Sequence, residues 1–140
     1  MSVYVVDASV GMKWFLPEIH TEPALRLLTG SHYLLVPDLF FPEFGNILWK
    51  KTKRGELSAK EAREVFRALG TIGLRVHETQ TLLPLALDIA FDADCTVYDA
   101  LYVAVAVTND VALVTADHRL YDRIHAGPLT SHVIWIEDVP

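Results

Sequence analysis

The sequence is poor in cysteine and has no long apolar run. Cys95 is the only cysteine among 140 residues, which excludes an internal disulfide and a multi-cysteine zinc site. The longest apolar run covers residues 100–107, far fewer than the roughly 20 residues that a membrane-spanning helix needs. The amino terminus also lacks the basic start and apolar stretch of a signal peptide. We therefore expect a soluble cytoplasmic protein with no membrane partner.

Other chemical signatures are also missing. No glycine-rich phosphate-binding loop follows any apolar run that resembles a strand, which removes the common nucleotide-binding folds. The six histidines do not show the spacing of a zinc site, and no motif around Cys95 indicates a nucleophile. Histidine and cysteine are therefore given no catalytic role.

Positive charge is scarce on average but is concentrated in one segment. The chain has 12 Lys and Arg against 18 Asp and Glu, a net charge of -6, and that balance counts against a general nucleic-acid binder. Residues 50–67, however, hold seven bases and three acids, a local charge of +4, whereas the other five bases and 15 acids give -10. The acidic average therefore conceals a basic segment.

Short apolar runs alternate with helical patterns along the chain. Strands are predicted at residues 3–6, 33–36, 74–76, 111–114 and 133–136. Helices are predicted at 21–30, 42–55, 58–70, 82–91, 97–108 and 116–125, the third opening with a Ser58–Glu61 capping box. This alternation predicts parallel strands with helices on both faces of the sheet. We expect one α/β domain over residues 1–140, with three α/β/α layers around a mainly parallel five-stranded sheet.

Four acidic residues occupy the positions where such a sheet gathers functional groups. Asp7 directly follows the first strand, and Asp117 lies just beyond the fourth. Glu43 and Asp99 stand in the opening turns of the helices that follow the second strand and precede the fourth. Because functional groups collect beyond the carboxyl ends of parallel strands, we expect these four carboxylates to converge.

The converging acids predict a site for a hard divalent cation. Two carboxylates ~4 Å apart near a protein surface repel by about 4 kcal/mol, so a cluster needs protons or cations. Oxygen-only donors suit Mg²⁺ or Mn²⁺ rather than zinc. The hydroxyls of Ser9 and Thr115, two residues from Asp7 and Asp117, are candidates to orient a carboxylate or a water. Ordinary helix capping and turn formation are the plainer interpretations of these positions.

Four segments around these acids resemble the motifs of PIN-domain ribonucleases of the VapC toxin type. They occur in the family's order and span nearly the whole chain. The segments are Val5-Val6-Asp7-Ala8-Ser9-Val10 with Lys13-Trp14-Phe15-Leu16-Pro17-Glu18, Pro42-Glu43-Phe44-Gly45-Asn46-Ile47-Leu48, Tyr98-Asp99-Ala100-Leu101-Tyr102-Val103-Ala104-Val105-Ala106, and Leu113-Val114-Thr115-Ala116-Asp117 with Arg119-Leu120.

The resemblance implies a PIN-like fold and a Mg²⁺- or Mn²⁺-dependent endoribonuclease. It implies that the family's catalytic and metal-binding acids correspond to Asp7, Glu43, Asp99 and Asp117, and its hydroxyl position to Thr115. It further implies the toxin half of a VapBC-type toxin–antitoxin pair, which forms a homodimer and is silenced by a VapB-type antitoxin.

The basic segment supplies candidate contacts to an RNA substrate. It follows directly on the predicted helix of Glu43, so its cations would lie beside the acidic site and could hold a phosphate backbone. A solvated helical surface is the alternative interpretation. The candidate RNA-binding residues are Lys50, Lys51, Lys53 and Arg54.

Two other functional classes stay open on the sequence. An aspartate-based phosphotransfer domain also places acids at strand ends. A haloacid-dehalogenase-type phosphatase, however, needs a second Asp where this chain has Ser9, and a receiver domain needs an Asp after the third strand, where this chain has His77 and Glu78. A non-catalytic PIN-fold module that binds RNA or protein would keep the fold without the chemistry, and the intact acidic set argues against it.

Overall fold

Five parallel strands form the centre of the computed structural model, which describes residues 2–140. Their order across the sheet is β3-β2-β1-β4-β5, and every neighbouring pair is parallel. The strands are β1 (Ser2–Val6), β2 (His32–Pro37), β3 (Leu74–His77), β4 (Ala112–Thr115) and β5 (Val133–Trp135).

The chain direction across the sheet reverses between β1 and β4. From β1 the chain moves outward to β2 and β3, and it then returns to the other side of β1 to form β4 and β5. Val5 is in register with Leu35 of β2 on one side and with Leu113 of β4 on the other. A reversal of this kind opens a crevice beyond the carboxyl ends of the two strands that flank it. Asp7 and Asp117 follow those strand ends.

Seven α-helices flank the sheet in residues 2–140, and none of them is long and apolar enough to cross a membrane. Two short 3-10 helices, Thr130–His132 and Ile136–Asp138, surround β5. The helices are α1 (Ala8–Met12), α2 (Thr21–Thr29), α3 (Phe40–Lys53), α4 (Ala59–Leu69), α5 (Thr79–Ala93), α6 (Val97–Thr108) and α7 (His118–His125).

Helix α6 forms the centre of the hydrophobic core. Its residues from Ala100 to Ala106 are all buried, and it packs against α5 and against β1, β2 and β4. A helix that is apolar on every side has to be enclosed by its neighbours in this way. Burial on all sides fixes the position of α6, and its first turn carries Asp99 at the edge of the sheet.

The predicted fold class is confirmed, and the differences are local. The sheet is wholly parallel rather than mainly so, and all five predicted strands are present. Ser58 and Glu61 form both hydrogen bonds of the predicted capping box. Helix α5 begins at Thr79 rather than at residue 82, so Pro84 stands in the second turn of the helix rather than in its first, where its missing N–H would be expected. The last strand ends at Trp135 because the chain turns there into a 3-10 helix.

Candidate active site

Asp7 is held in place by the start of helix α1. Its Oδ1 accepts hydrogen bonds from the Val10 amide at 2.9 Å and from the Ser9 hydroxyl at 2.8 Å. These are the contacts of a helix N-cap, and they fix the carboxylate just beyond the end of β1. The capping interpretation and the functional interpretation of Asp7 are therefore compatible, since only Oδ1 makes the capping hydrogen bonds and the residue also lines a cavity.

Asp117 has the same arrangement at the end of β4. Its Oδ1 accepts from the main-chain amides of Arg119 at 2.9 Å and Leu120 at 3.3 Å, and so caps helix α7. Its own amide donates to Oγ1 of the fully buried Thr115 at 3.0 Å. The Thr115 hydroxyl therefore orients the main chain at Asp117 from beneath the site.

Glu43 and Asp99 come from the first turns of two different helices. The hydroxyl of Tyr102, a residue 2% exposed, donates to Glu43 Oε1 at 2.5 Å. The amide of Asp99 donates to the hydroxyl of Thr96, which caps α6, at 3.1 Å. Tyr102 lies one helical turn after Asp99, so α6 contributes a carboxylate directly and positions a second one through its tyrosine.

One cavity of about 270 Å³ brings all four carboxylates together. It lies at the carboxyl ends of β1 and β4, where the chain direction across the sheet reverses. The acids therefore share one solvent-accessible depression, as the strand positions predict. Its lining residues are Asp7, Ala8, Ser9, Glu43, Asn46, Ile47, Lys50, Asp99, Tyr102, Asp117 and Leu120.

Negative charge is unfavourable in this cavity. The pKa of Asp7 is raised to about 6, chiefly by burial and also by the charges of Glu43 and Asp99. The hydrogen bonds from Val10 and Ser9 lower this pKa but do not offset the effect of burial. Burial also raises the pKa of Glu43, with a further contribution from Asp99. Burial and the charge of Asp117 raise the pKa of Asp99. Glu43, Asp99 and Asp117 therefore each disfavour ionisation of a neighbouring carboxylate, and a bound cation would reverse that effect.

The donor set fits a hydrated Mg²⁺ or Mn²⁺ ion. All four side chains offer carboxylate oxygens, which these hard cations prefer. No three His, Cys, Asp or Glu side chains between residues 2 and 140 are grouped closely enough to hold one metal ion directly. Mg²⁺ commonly keeps several waters and binds through only one or two carboxylates, so the arrangement suits an ion that reaches part of the acidic set through its own waters.

The four candidate RNA-binding residues differ in their surroundings. Lys50 lines the acidic cavity, and Lys50 and Arg54 together line the neighbouring cavity of about 230 Å³. Lys51 is engaged in a salt bridge of 2.8 Å with Glu18, and the Lys53 ammonium lies 5.9 Å from the centroid of the Trp49 ring. Lys51 also lines the smaller cavity, so the basic segment presents Lys50, Lys51 and Arg54 at or beside the site, whereas Lys53 lines neither cavity.

Two features near the site were not predicted from the sequence. The Tyr102 hydroxyl is one, although its spacing of one helical turn from Asp99 is a usable sequence signal. The other is a charged network in which Glu18 accepts from Lys13 at 3.3 Å and from Lys51 at 2.8 Å. Lys13 is 7% exposed, so its ammonium depends on Glu18 for compensation. The network joins the segment after α1 to α3, the helix that carries Glu43.

Comparison with known proteins defines the class of protein to which this site belongs. The PIN-domain family model matches residues 4–125, and the chain therefore belongs to the PIN-domain family. Within that family it belongs with the VapC ribonucleases. It is 36% identical over 124 residues to ribonuclease VapC3 of Pyrobaculum aerophilum, covering 87% of this chain and 95% of the relative.

Solved structures agree with that placement at the level of the fold. The crystal structure of PAE2754 from Pyrobaculum aerophilum matches with a TM-score of 0.67 and 24% identity, over 97% of this chain and 90% of that one. A toxin–antitoxin complex from Klebsiella pneumoniae matches with a TM-score of 0.64 and 14% identity, over 94% and 95% of the two chains.

Proposed function

We propose that the chain is a Mg²⁺- or Mn²⁺-dependent endoribonuclease and the toxin of a VapBC-type pair. The observation that carries the proposal is the cavity lined by Asp7, Glu43, Asp99 and Asp117 at the reversal point of the sheet. The 36% identity to ribonuclease VapC3 supports RNA as the substrate. The raised pKa values of Asp7, Glu43 and Asp99 support a cation in the site, because a cation would stabilise their ionised forms.

The proposed reaction is hydrolysis of an RNA phosphodiester with a divalent cation held by the carboxylates. Asp7, Glu43, Asp99 and Asp117 would hold the metal, which when bound lowers the pKa of water and stabilises charge on the departing oxygen. Water attacks the phosphorus in line, and the bond from phosphorus to the 3′ oxygen breaks. The products then carry a 5′-phosphate and a 3′-hydroxyl. One of the four carboxylates would also accept the proton that the attacking water loses, and the departing 3′ oxygen takes up a proton from solvent.

Neighbouring side chains keep these carboxylates in position. Ser9 donates to Asp7, Tyr102 donates to Glu43, and Thr115 fixes the main chain at Asp117. Groups held by several hydrogen bonds lose little freedom when a substrate binds, which lowers the cost of reaching the reactive geometry. Tyr102 and Thr115 are thus positioning residues, since they act through the acids.

The experiment that tests the proposal uses RNA without ends. Purified protein is incubated with a circular RNA and with its linear form in Mg²⁺, in Mn²⁺ and in EDTA, and the product ends are mapped. We expect both RNAs to be cleaved with either metal and neither in EDTA. Asp99→Asn should abolish cleavage, whereas Asp122→Asn, which changes an exposed acid of α7 outside the cavity, should leave it intact. Cleavage that persists in EDTA or in Asp99→Asn protein contradicts the proposal.

A VapB-type antitoxin is the proposed protein partner. The toxin–antitoxin complex among the structural neighbours supports this, and so does an open apolar groove of about 670 Å³ between α3 and α4. The groove exposes 58% of Trp49 and 45% of Phe66, which suits an amphipathic helix of a partner. In co-expression with the cognate antitoxin, Trp49→Glu should weaken the complex, whereas Glu56→Gln, an exposed change outside the groove, should not. Equal complex formation by both variants would refute this placement.

A homodimer is the proposed assembly. Helix α5 exposes 39% of Leu83, 40% of Leu87 and 79% of Phe91, which repeat at four-residue intervals and so form one apolar stripe. Exposed apolar stripes on soluble proteins commonly mark interfaces. Light scattering should report a dimer for the wild type and a monomer for Phe91→Arg. The control Thr81→Arg adds the same charge to an exposed position of α5 on a different face from the stripe, and it should remain dimeric.

A further inference from the structure

The acidic cavity continues into a smaller cavity on each side. On one side, a cavity of about 230 Å³ shares Ser9, Ile47 and Lys50 with it and adds Arg54 and the Glu18–Lys51 salt bridge. On the other, a cavity of about 200 Å³ shares Asp99, Asp117 and Leu120 with it and adds Arg119 and Arg123. The three cavities therefore adjoin one another as one groove, with carboxylates in the middle and cations at both ends.

Arg119 and Arg123 of α7 are available to an anionic ligand. Both are exposed, and they lie four residues apart, on the same face of the helix. Neither guanidinium forms a salt bridge with any carboxylate in residues 2–140. One Nη of Arg123 donates to the main-chain oxygen of Asp94, which anchors this side chain beside the cavity that includes Asp99.

The charge pattern along the groove suits a strand with regularly spaced negative charges. The central carboxylates repel any anion, including a substrate phosphate at the site. Cations that bind the adjacent phosphates of the same strand would offset this repulsion. A terminal nucleotide or a small phosphate ester would use the cations at one end only. A polynucleotide that continues in both directions uses both ends, and each phosphate neutralised by Lys or Arg adds favourable binding energy through counterion release.

We infer that one RNA strand passes through this groove and is held on both sides of the bond to be cleaved. Arg119 and Arg123 bind the backbone phosphates on one side, and Lys50 and Arg54 bind those on the other. This inference rests on the proposed ribonuclease function. A strand bound in this way would place an internal bond of the RNA at the carboxylates. The inference also assigns to α7 a substrate contact that the basic segment of residues 50–67 does not supply.

The test measures RNA binding separately from cleavage. The affinity of Asp99→Asn protein for a short, fluorescent single-stranded RNA is measured at a fixed Mg²⁺ concentration and a series of salt concentrations. It is compared with the same protein carrying Arg119→Gln and Arg123→Gln, or Lys50→Gln and Arg54→Gln. Each lost phosphate contact to a single strand should reduce the slope of log K against log salt by about 0.7, so each pair should reduce it by roughly 1.4. Arg75→Gln is the control, because this exposed arginine stacks on Tyr33 and lines none of the three cavities.

Single neutral phosphates in the RNA then locate each contact. A methylphosphonate on one side of the cleavage site should weaken binding to the parent protein but not to the α7 double variant. A methylphosphonate on the other side should weaken binding to the parent protein but not to the double variant at Lys50 and Arg54. Arg119→Gln alone, whose side chain makes no hydrogen bond in residues 2–140, should show half of the α7 effect without disturbing the contact to Asp94.

The outcomes separate this inference from the proposed function. If the α7 variants keep the salt slope of their parent while wild-type protein cleaves RNA, the inference is wrong and the ribonuclease function stands. If both pairs respond to the same phosphate, the strand does not cross the site and the inference is also wrong. A wild-type protein that neither binds nor cleaves RNA would overturn the proposed function and this inference together.

Discussion

Replacing Asp7 by Asn should make the metal-free protein more stable at neutral pH. The asparagine amide oxygen can still accept the hydrogen bonds from Val10 and Ser9 that cap α1, at 2.9 and 2.8 Å. It removes the charge that burial disfavours and that Glu43 and Asp99 repel. The wild-type carboxylate would then be retained for function at a cost in stability, as is common at active sites.

The size of the effect follows from the shift in pKa. The pKa of Asp7 rises from 3.8 to about 6, and at roughly 1.4 kcal/mol per unit this corresponds to about 3 kcal/mol at pH well above 6. Asp7 keeps partial exposure to solvent, which reduces the penalty. We therefore expect Asp7→Asn to increase the free energy of unfolding by roughly 1–3 kcal/mol at pH 8.

The sign of the pH dependence gives a second check on the same variant. Because the folded pKa lies above the unfolded one, the carboxyl group contributes fully to stability below pH 3.8, and this contribution is lost as the pH rises through about 6. The difference between Asp7→Asn and wild type should therefore be smaller at pH 5 than at pH 8.

Urea unfolding in EDTA at both pH values measures this difference, with Asp122→Asn as an exposed control. Added Mg²⁺ should stabilise the wild type more than the variant, since binding to the folded state alone raises stability. A variant that is less stable than wild type by the same amount at both pH values would refute the reasoning. The capping contacts, rather than the charge, would then dominate the energetics of Asp7.

Three further changes test other parts of the structure. Glu18→Gln should lower the free energy of unfolding by roughly 1–3 kcal/mol, because Lys13, 7% exposed, loses its counter-charge. Burial raises the pKa of Glu18, but hydrogen bonds and charges from Lys51 and Lys13 outweigh it and lower the pKa overall. The stabilisation by Glu18 should therefore be lost as the pH falls below 4.5, and urea unfolding at pH 7 and at lower pH measures this loss. Tyr102→Phe should raise the Mg²⁺ concentration for half-maximal cleavage about 10-fold, because Glu43 loses its hydrogen-bond donor, and an unchanged requirement would contradict its role. Gly55→Ala should cost roughly 1 kcal/mol in thermal unfolding, because φ is +77° in the turn between α3 and α4.

The sequence by itself determined the elements and the placement of the acids along them. Alternating apolar runs and helical patterns depend on near neighbours in the chain, so all five strands and the Ser58–Glu61 capping box could be predicted from local patterns. The position of an acid just beyond a strand is also local information. It sufficed to select Asp7 and Asp117, and the first-turn positions of Glu43 and Asp99 complete the set that lines the cavity.

Only the tertiary structure decided which side chains meet across the chain. Tyr102 donates a hydrogen bond to Glu43, 59 residues away in the sequence, and Lys51, a candidate RNA contact, forms a salt bridge with Glu18. These contacts depend on strand order and on helix packing, which bring together segments that have no periodic relation in the sequence. The placement of β1 between β2 and β4 joins Asp7 to Asp117, and the same packing sets the cations of α3 and α7 at opposite ends of one groove. Local propensity cannot specify such neighbours, because they result from burying the whole sheet at once.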